Sequence, residues 1–105
     1  MSRRSFPEKD YQEVLPLTFN FNFDLQAGET INTPLVTCAY ESGAADANPS
    51  ALISGAPVVS AGSVIQMVQA GNPETNYLFR AKVSTSLNRV LVRGAILPVV
   101  VDGLK

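Results

Sequence analysis

The chain has 105 residues, with 8 basic and 9 acidic side chains for a net charge of -1, one cysteine and no histidine. At this size one domain buries about two-thirds of the surface that its unfolded form exposes, so packing can hold it without staples. The even charge balance leaves no basic footprint for tracking phosphates, the lone Cys38 rules out an intrachain disulfide, and the lack of histidine removes the commonest general base and metal ligand.

Residues 1–15 mix charged side chains with Phe6, Pro7, Tyr11, Val14 and Leu15. No apolar run follows Met1, so the segment reads as an extended arm rather than a signal peptide or membrane anchor. Such an arm is either a frayed terminus or a strap whose apolar residues dock on a neighbouring subunit, with Phe6, Tyr11, Val14 and Leu15 as the candidate contacts. Residues 16–105 then form the domain proper.

Over residues 17–25, Leu17, Phe19, Phe21, Phe23 and Leu25 alternate with Thr18, Asn20, Asn22 and Asp24. This spacing predicts a half-buried strand with three phenylalanines in the core, each worth about 1.5–3 kcal/mol when fully buried. Gly28 marks a turn, and a second strand over residues 31–40 puts Val36, Cys38 and Tyr40 on one face; Pro34, without an amide donor, belongs at an edge or a bulge. Residues 41–50 make a solvated loop rich in small and polar side chains, followed by the short apolar stretch Ala51, Leu52 and Ile53 and by residues 57–60. Val64, Ile65, Met67 and Val68 face both ways, which suits a central strand.

Residues 77–98 read as a β-hairpin. With the turn at Leu87 and Asn88, Ser86 pairs with Arg89, Val83 with Val92 and Phe79 with Ile96. The buried face then holds Tyr77, Phe79, Ala81, Val83, Val90, Val92 and Ile96, and the outer face Arg80, Lys82, Ser84, Leu91, Arg93 and Ala95. Lys82 opposes Arg93 in this register, with Arg80 beside them. These cations either splay into water or meet an acidic surface on a partner. Residues 95–101 are almost wholly apolar, so both of their faces are covered within the domain or they lie in an interface, with Leu97, Val99 and Val101 as candidate contacts.

About seven short strands, Gly, Pro and Asn turns and no convincing amphipathic helix predict an all-β fold, a single immunoglobulin-like β-sandwich with an extended N-terminal arm; a small barrel or jelly roll is the competing architecture. No pattern announces catalysis. Ser84, Thr85 and Ser86 have no base to activate them, and Glu29, Glu41, Asp46 and Glu74 lack the spaced cluster of a cation loop. Cys38 on an apolar face reads as a small core residue. The expectation is a non-enzyme without cofactor or metal, binding neither nucleic acid nor membrane.

Two short motifs carry a resemblance. Glu8, Lys9 and Asp10, then Val14 and Leu15, the alternating strand to Leu25 and the turn Gly28, Glu29, Thr30 and Ile31 open the chain; Tyr77, Phe79, Val83, Ser84, Thr85 and Ser86 form the later one. In this order they resemble small bacteriophage virion proteins of the fibre-tail adaptor type, except that Leu87, Asn88 and Arg89 stand where such proteins carry a glycine-containing turn. The resemblance implies a structural component of a tailed phage particle, assembled in the host cytoplasm in several copies. It would join neck, tail or capsid to fibres by contacts with other virion proteins and with copies of itself. A capsid decoration protein is the alternative of the same class, and a host-surface carbohydrate-binding module that of another.

Overall fold

The computed structural model describes residues 4–101. Its strands are β1 (Lys9–Asp10), β2 (Leu15–Asn20), β3 (Ile31–Gly43), β4 (Ile53–Ser60), β5 (Ser63–Val68), β6 (Thr75–Thr85) and β7 (Val90–Val100), with a 3-10 turn at Pro49–Leu52 before β4. They form a four-stranded sheet ordered β1-β7-β6-β3 and a three-stranded sheet ordered β2-β5-β4. The two sheets pack face to face as a β-sandwich.

The core lies between them. Leu17 and Phe19 of β2 and Val64 and Val68 of β5 meet Val36 of β3, Tyr77, Phe79, Ala81 and Val83 of β6, and Leu97 and Val99 of β7. Period-two alternation puts these side chains on one face of each strand. The central place expected for residues 63–70 is the one β5 takes. Pro34 sits where the register of edge strand β3 shifts between Asn32 and Leu35, with Thr33 in the left-handed region at φ 50°. Partial burial against the core holds the Cys38 thiol in its neutral form, pushing its pKa up to about 12.

Three expectations need correction. First, the hairpin closes through a three-residue loop, not a two-residue one: Thr85 N–H donates to the Arg89 carbonyl (2.9 Å) and Asn88 N–H to the Thr85 carbonyl (3.0 Å), with Asn88 at φ 61°. Asparagine tolerates that left-handed conformation, so Asn88 closes the loop without a glycine. The extra residue slips the register by one: Val83 pairs with Leu91, Phe79 with Ala95 and Lys82 with Val92. Every β7 side chain therefore changes face. Ala95, Leu97 and Val99 are buried and Leu91 packs against the core, while Val90 and Val92 are exposed and Ile96 lies on the outer side.

Second, Lys82 does not oppose Arg93, which pairs with Ala81 on the inward side and forms an ion pair with Asp24. Third, β2 stops at Asn20. The chain turns over residues 21–24, so Phe19 and Phe21 are buried while Phe23 is 91% exposed.

The N-terminal segment lies along its own domain. Ile96 N–H donates to the Arg4 carbonyl, Phe6 N–H to the Ile96 carbonyl and Tyr11 N–H to the Val100 carbonyl, and β1 pairs in parallel with Val99 and Val100. Phe6 meets the Phe19 ring edge to face at 5.4 Å between centroids. Lys9 is fully buried. Its ammonium donates to the carbonyls of Ala70 (2.7 Å) and Asp10 (3.0 Å), and burial lowers its pKa.

Candidate interaction surface

One end of the sandwich is built around a buried carboxylate. Glu29 follows Gly28, whose φ of 79° lets the chain turn before β3, and its side chain points inward beneath the hairpin tip. There it accepts from the Thr85 hydroxyl (2.5 Å), from Arg89 Nε (2.9 Å) and Nη2, and from Gln26 N–H (2.8 Å). Arg89 Nη2 also reaches the Asp24 carbonyl at 2.7 Å. Thr30 N–H donates to Ser86 Oγ and Ser86 N–H to the Thr30 carbonyl, closing the contact. The forked guanidinium opposite a carboxylate is the geometry that holds best out of water. The Arg89 hydrogen bonds, with lesser help from Thr85 and Gln26, hold the Glu29 carboxyl well below the usual range, at about 2.

This arrangement explains both sequence motifs. Gly28, Glu29 and Thr30 on one side and Thr85 and Ser86 on the other are the two halves of one clamp. Thr85 and Ser86 act as hydrogen-bonding groups, and the clamp fastens the loop of residues 21–30 to the hairpin tip.

The outer faces of the two sheets differ in charge. On the small sheet the cross-strand rows are Pro16, Met67 and Ser54; Thr18, Ile65 and Val58; and Asn20, Ser63 and Ser60. None of these is charged, and Val58 and Met67 are exposed. On the large sheet Thr37, Arg80 and Gly94 lie beside Leu35, Lys82 and Val92 and then Asn32, Ser84 and Val90. Two cations stand here among exposed Leu35, Val90 and Val92, with no acid in the three rows.

The candidate contact residues fall into separate places. Arg80 and Lys82 are exposed on the outer face of the large sheet. Tyr11 and Val14 are exposed just before β2, and Leu15 begins β2, packed partly against the core. Phe6 fills the gap between β2 and β7, with shallow clefts on either side: one of about 220 Å³ reaching Arg4, Asn20 and Arg93, and one of about 320 Å³ reaching Leu15 and Pro16. Arg93 is engaged with Asp24, and Val101 is half-buried at the end of β7. Leu97 and Val99 are wholly inside the core, so they give a partner nothing to touch. The apolar run at residues 95–101 is thus mostly spent within the domain. Phe23, Leu35, Val90 and Val92 are the exposed apolar residues that the sequence reading placed inside or passed over. The slipped register brings out Val90 and Val92 and the early end of β2 brings out Phe23, while Leu35 lies opposite Lys82 on the outer face of β3.

No curated protein and no solved structure matches the chain. A family model does match it, that described as podophage GP4 fiber-tail adaptor protein gp77, over residues 9–98. The match runs from the buried Lys9 of β1 through both halves of the Glu29 clamp to Pro98 in β7, and so takes in every strand of both sheets. The chain belongs to this family of podophage fibre-tail adaptor proteins.

Proposed function

We propose that the chain is a non-enzymatic adaptor of the phage particle, joining tail to fibre through protein–protein contacts. The observation that carries this reading is the family match over residues 9–98. The surface supports it: the small sheet offers an uncharged outer face with exposed Val58 and Met67, and the large sheet a cationic one with exposed Leu35, Val90 and Val92. Two opposite faces of different charge suit two different neighbours, because uncharged apolar area gives affinity while a one-signed rim selects the partner. On the large sheet Arg80 and Lys82 would meet an acidic surface. Tyr11, Val14 and the edge filled by Phe6 would extend the contact around β2.

Purified particles test the reading. Mass spectrometry should find the protein in the virion, its density should lie between tail and fibres, and particles made without it should lack fibres. Fully fibred particles from a deletion strain would overturn it. Charge reversal of Arg80 and Lys82 together should lower incorporation while leaving the melting temperature within about 2 °C, since exposed substitutions away from special features cost little.

A further inference from the structure

We infer that Phe23 is an anchor side chain, presented on a pinned loop for insertion into an apolar pocket of a neighbouring virion protein; this rests on the adaptor reading above. A single exposed apolar residue is ordinary on a protein surface. What sets Phe23 apart is the contrast between its ring, 91% exposed, and its backbone, which is held on both sides. On one side Asn22 N–H and Nδ2 both donate to Asn20 Oδ1 at 2.8 Å. The Asn22 side chain lies over Gly62, where an added Cβ would come within 1.9 Å of its Oδ1. On the other side Asp24 N–H donates to the Phe21 carbonyl, the Asp24 carbonyl accepts from Arg89, and the Asp24 carboxylate pairs with Arg93. Beneath them Phe21 is buried and its N–H donates to the Gly62 carbonyl at 2.8 Å.

The ring is thus displayed from a loop that has little freedom left to lose on binding. A phenylalanine has two side-chain torsions, so its own ordering cost is also small. Continuing β2 past Asn20 would bury Phe23 by simple alternation. The chain instead breaks the strand and spends three arginine contacts on holding the turn that exposes it, two from Arg89 to Asp24 and Glu29 and one from Arg93 to Asp24.

Leu87, exposed at the hairpin tip, is carried by the turn that Ser86 ties to Thr30, so a second apolar group stands on the same end of the sandwich. On either side of Phe23 in the chain, Asn22 is bonded to Asn20 and the Asp24 carboxylate is paired with Arg93, so the loop itself offers no unpaired charge next to the ring. The occupant this fits is a protein pocket that is apolar within and rimmed by neutral hydrogen-bonding groups, rather than a charged one.

The test compares wild type, F23A and F23L for incorporation into particles grown on a strain that supplies the protein from a plasmid. F23A should melt as wild type does in isolation and be incorporated about tenfold or more less well, with F23L in between. F23A incorporated like wild type would overturn the inference while leaving the adaptor reading intact; wild-type protein missing from particles would sink both. Two controls decide the occupant. If the purified wild type self-associates in sedimentation and F23A does not, the pocket belongs to a second copy. If wild type but not F23A floats with phosphatidylglycerol–phosphatidylethanolamine vesicles, the ring enters lipid. Either result would overturn the assignment to another virion protein.

Discussion

The N-terminal edge and the hairpin end of this sandwich each bury a charged group and each carry a phenylalanine outside the regular sheets, and they use them in opposite ways. At the edge, Phe6 turns inward onto Phe19, and the Lys9 ammonium is satisfied by two backbone carbonyls. At the hairpin end the ring of Phe23 turns outward, and the buried charge is a carboxylate with a guanidinium against it. An edge closed by apolar contact has spent its aromatic residue on stability. An end closed by a polar network keeps one for display, because the network holds the loop without needing the ring in the core. Substitutions that exchange these roles should show whether the division is real.

The largest effect belongs to Phe21, the buried residue that roots the displayed loop. F21A should cost about 3–5 kcal/mol, as deleting a fully buried aromatic does, and a urea unfolding curve should place it well below wild type. Phe23, two positions away, should show no such loss. If F21A proved as mild as F23A, the loop would not be rooted in the core and the contrast between the two ends would fail.

Next comes the clamp. T85V keeps the shape of a 3%-exposed side chain but removes the hydroxyl that Glu29 accepts from. Hydrogen bonds to ionised groups are worth about 1.5–3 kcal/mol, so a loss of about 2 kcal/mol is expected in the same measurement. The amide protons of Ser86 and Thr30, bonded across the two loops, should exchange faster in the variant. A variant as stable as wild type would show that the tip is held by something other than this network. At the edge, F6A should cost about 1.5 kcal/mol, since Phe6 is only partly buried but loses an edge-to-face partner. A cost above that of T85V would reverse the ranking of the two ends.

These differences trace what the sequence could and could not disclose. The strands at residues 17–20 and 31–40 were legible because one face is more apolar than the other, and that at residues 63–68 because apolar residues on both faces suit a central place. β7 was ambiguous, because Val90, Val92 and Ile96 on one parity and Leu91, Leu97 and Val99 on the other are equally apolar. Its face was decided by a single backbone torsion, the left-handed φ of Asn88, which no periodicity records. Phe23 was misplaced for a related reason. Alternation extends through Leu25, but the loop contacts from Asn22, Arg89 and Arg93 end the strand at Asn20, and two of those partners lie more than 60 residues away in sequence. Glu29 carried a signal in its motif; only the fold shows that Arg89 and Thr85 are what it is for.

Titration separates the two ends by pH window. The Glu29 carboxyl has a folded pKa of about 2 against an ordinary value of 4.5. Between those values the unfolded chain binds the proton and the folded chain does not, so stability rises with pH; the contribution is complete above 4.5 and lost as pH falls toward 2. E29Q should lose stability at pH 7 and show a flatter curve through this acid window. Lys9 acts at the other extreme. Its pKa is lowered from 10.5, chiefly by burial and against the attraction of Glu13 and Asp10, so below 10.5 there is a window where the folded chain has released a proton that the unfolded chain still holds. Stability again rises with pH there, as the burial penalty is relieved. Tyr77 opposes it, because burial raises the phenol from 10.0 to about 12 and the unfolded chain ionises first. The Lys9 contribution is therefore read as the difference between wild type and K9M, in which Tyr77 cancels. That difference should grow in favour of wild type as pH approaches 10.5 in urea titrations. A flat difference would mean that the Lys9 ammonium is solvated in solution, and the edge would then not be closed over it.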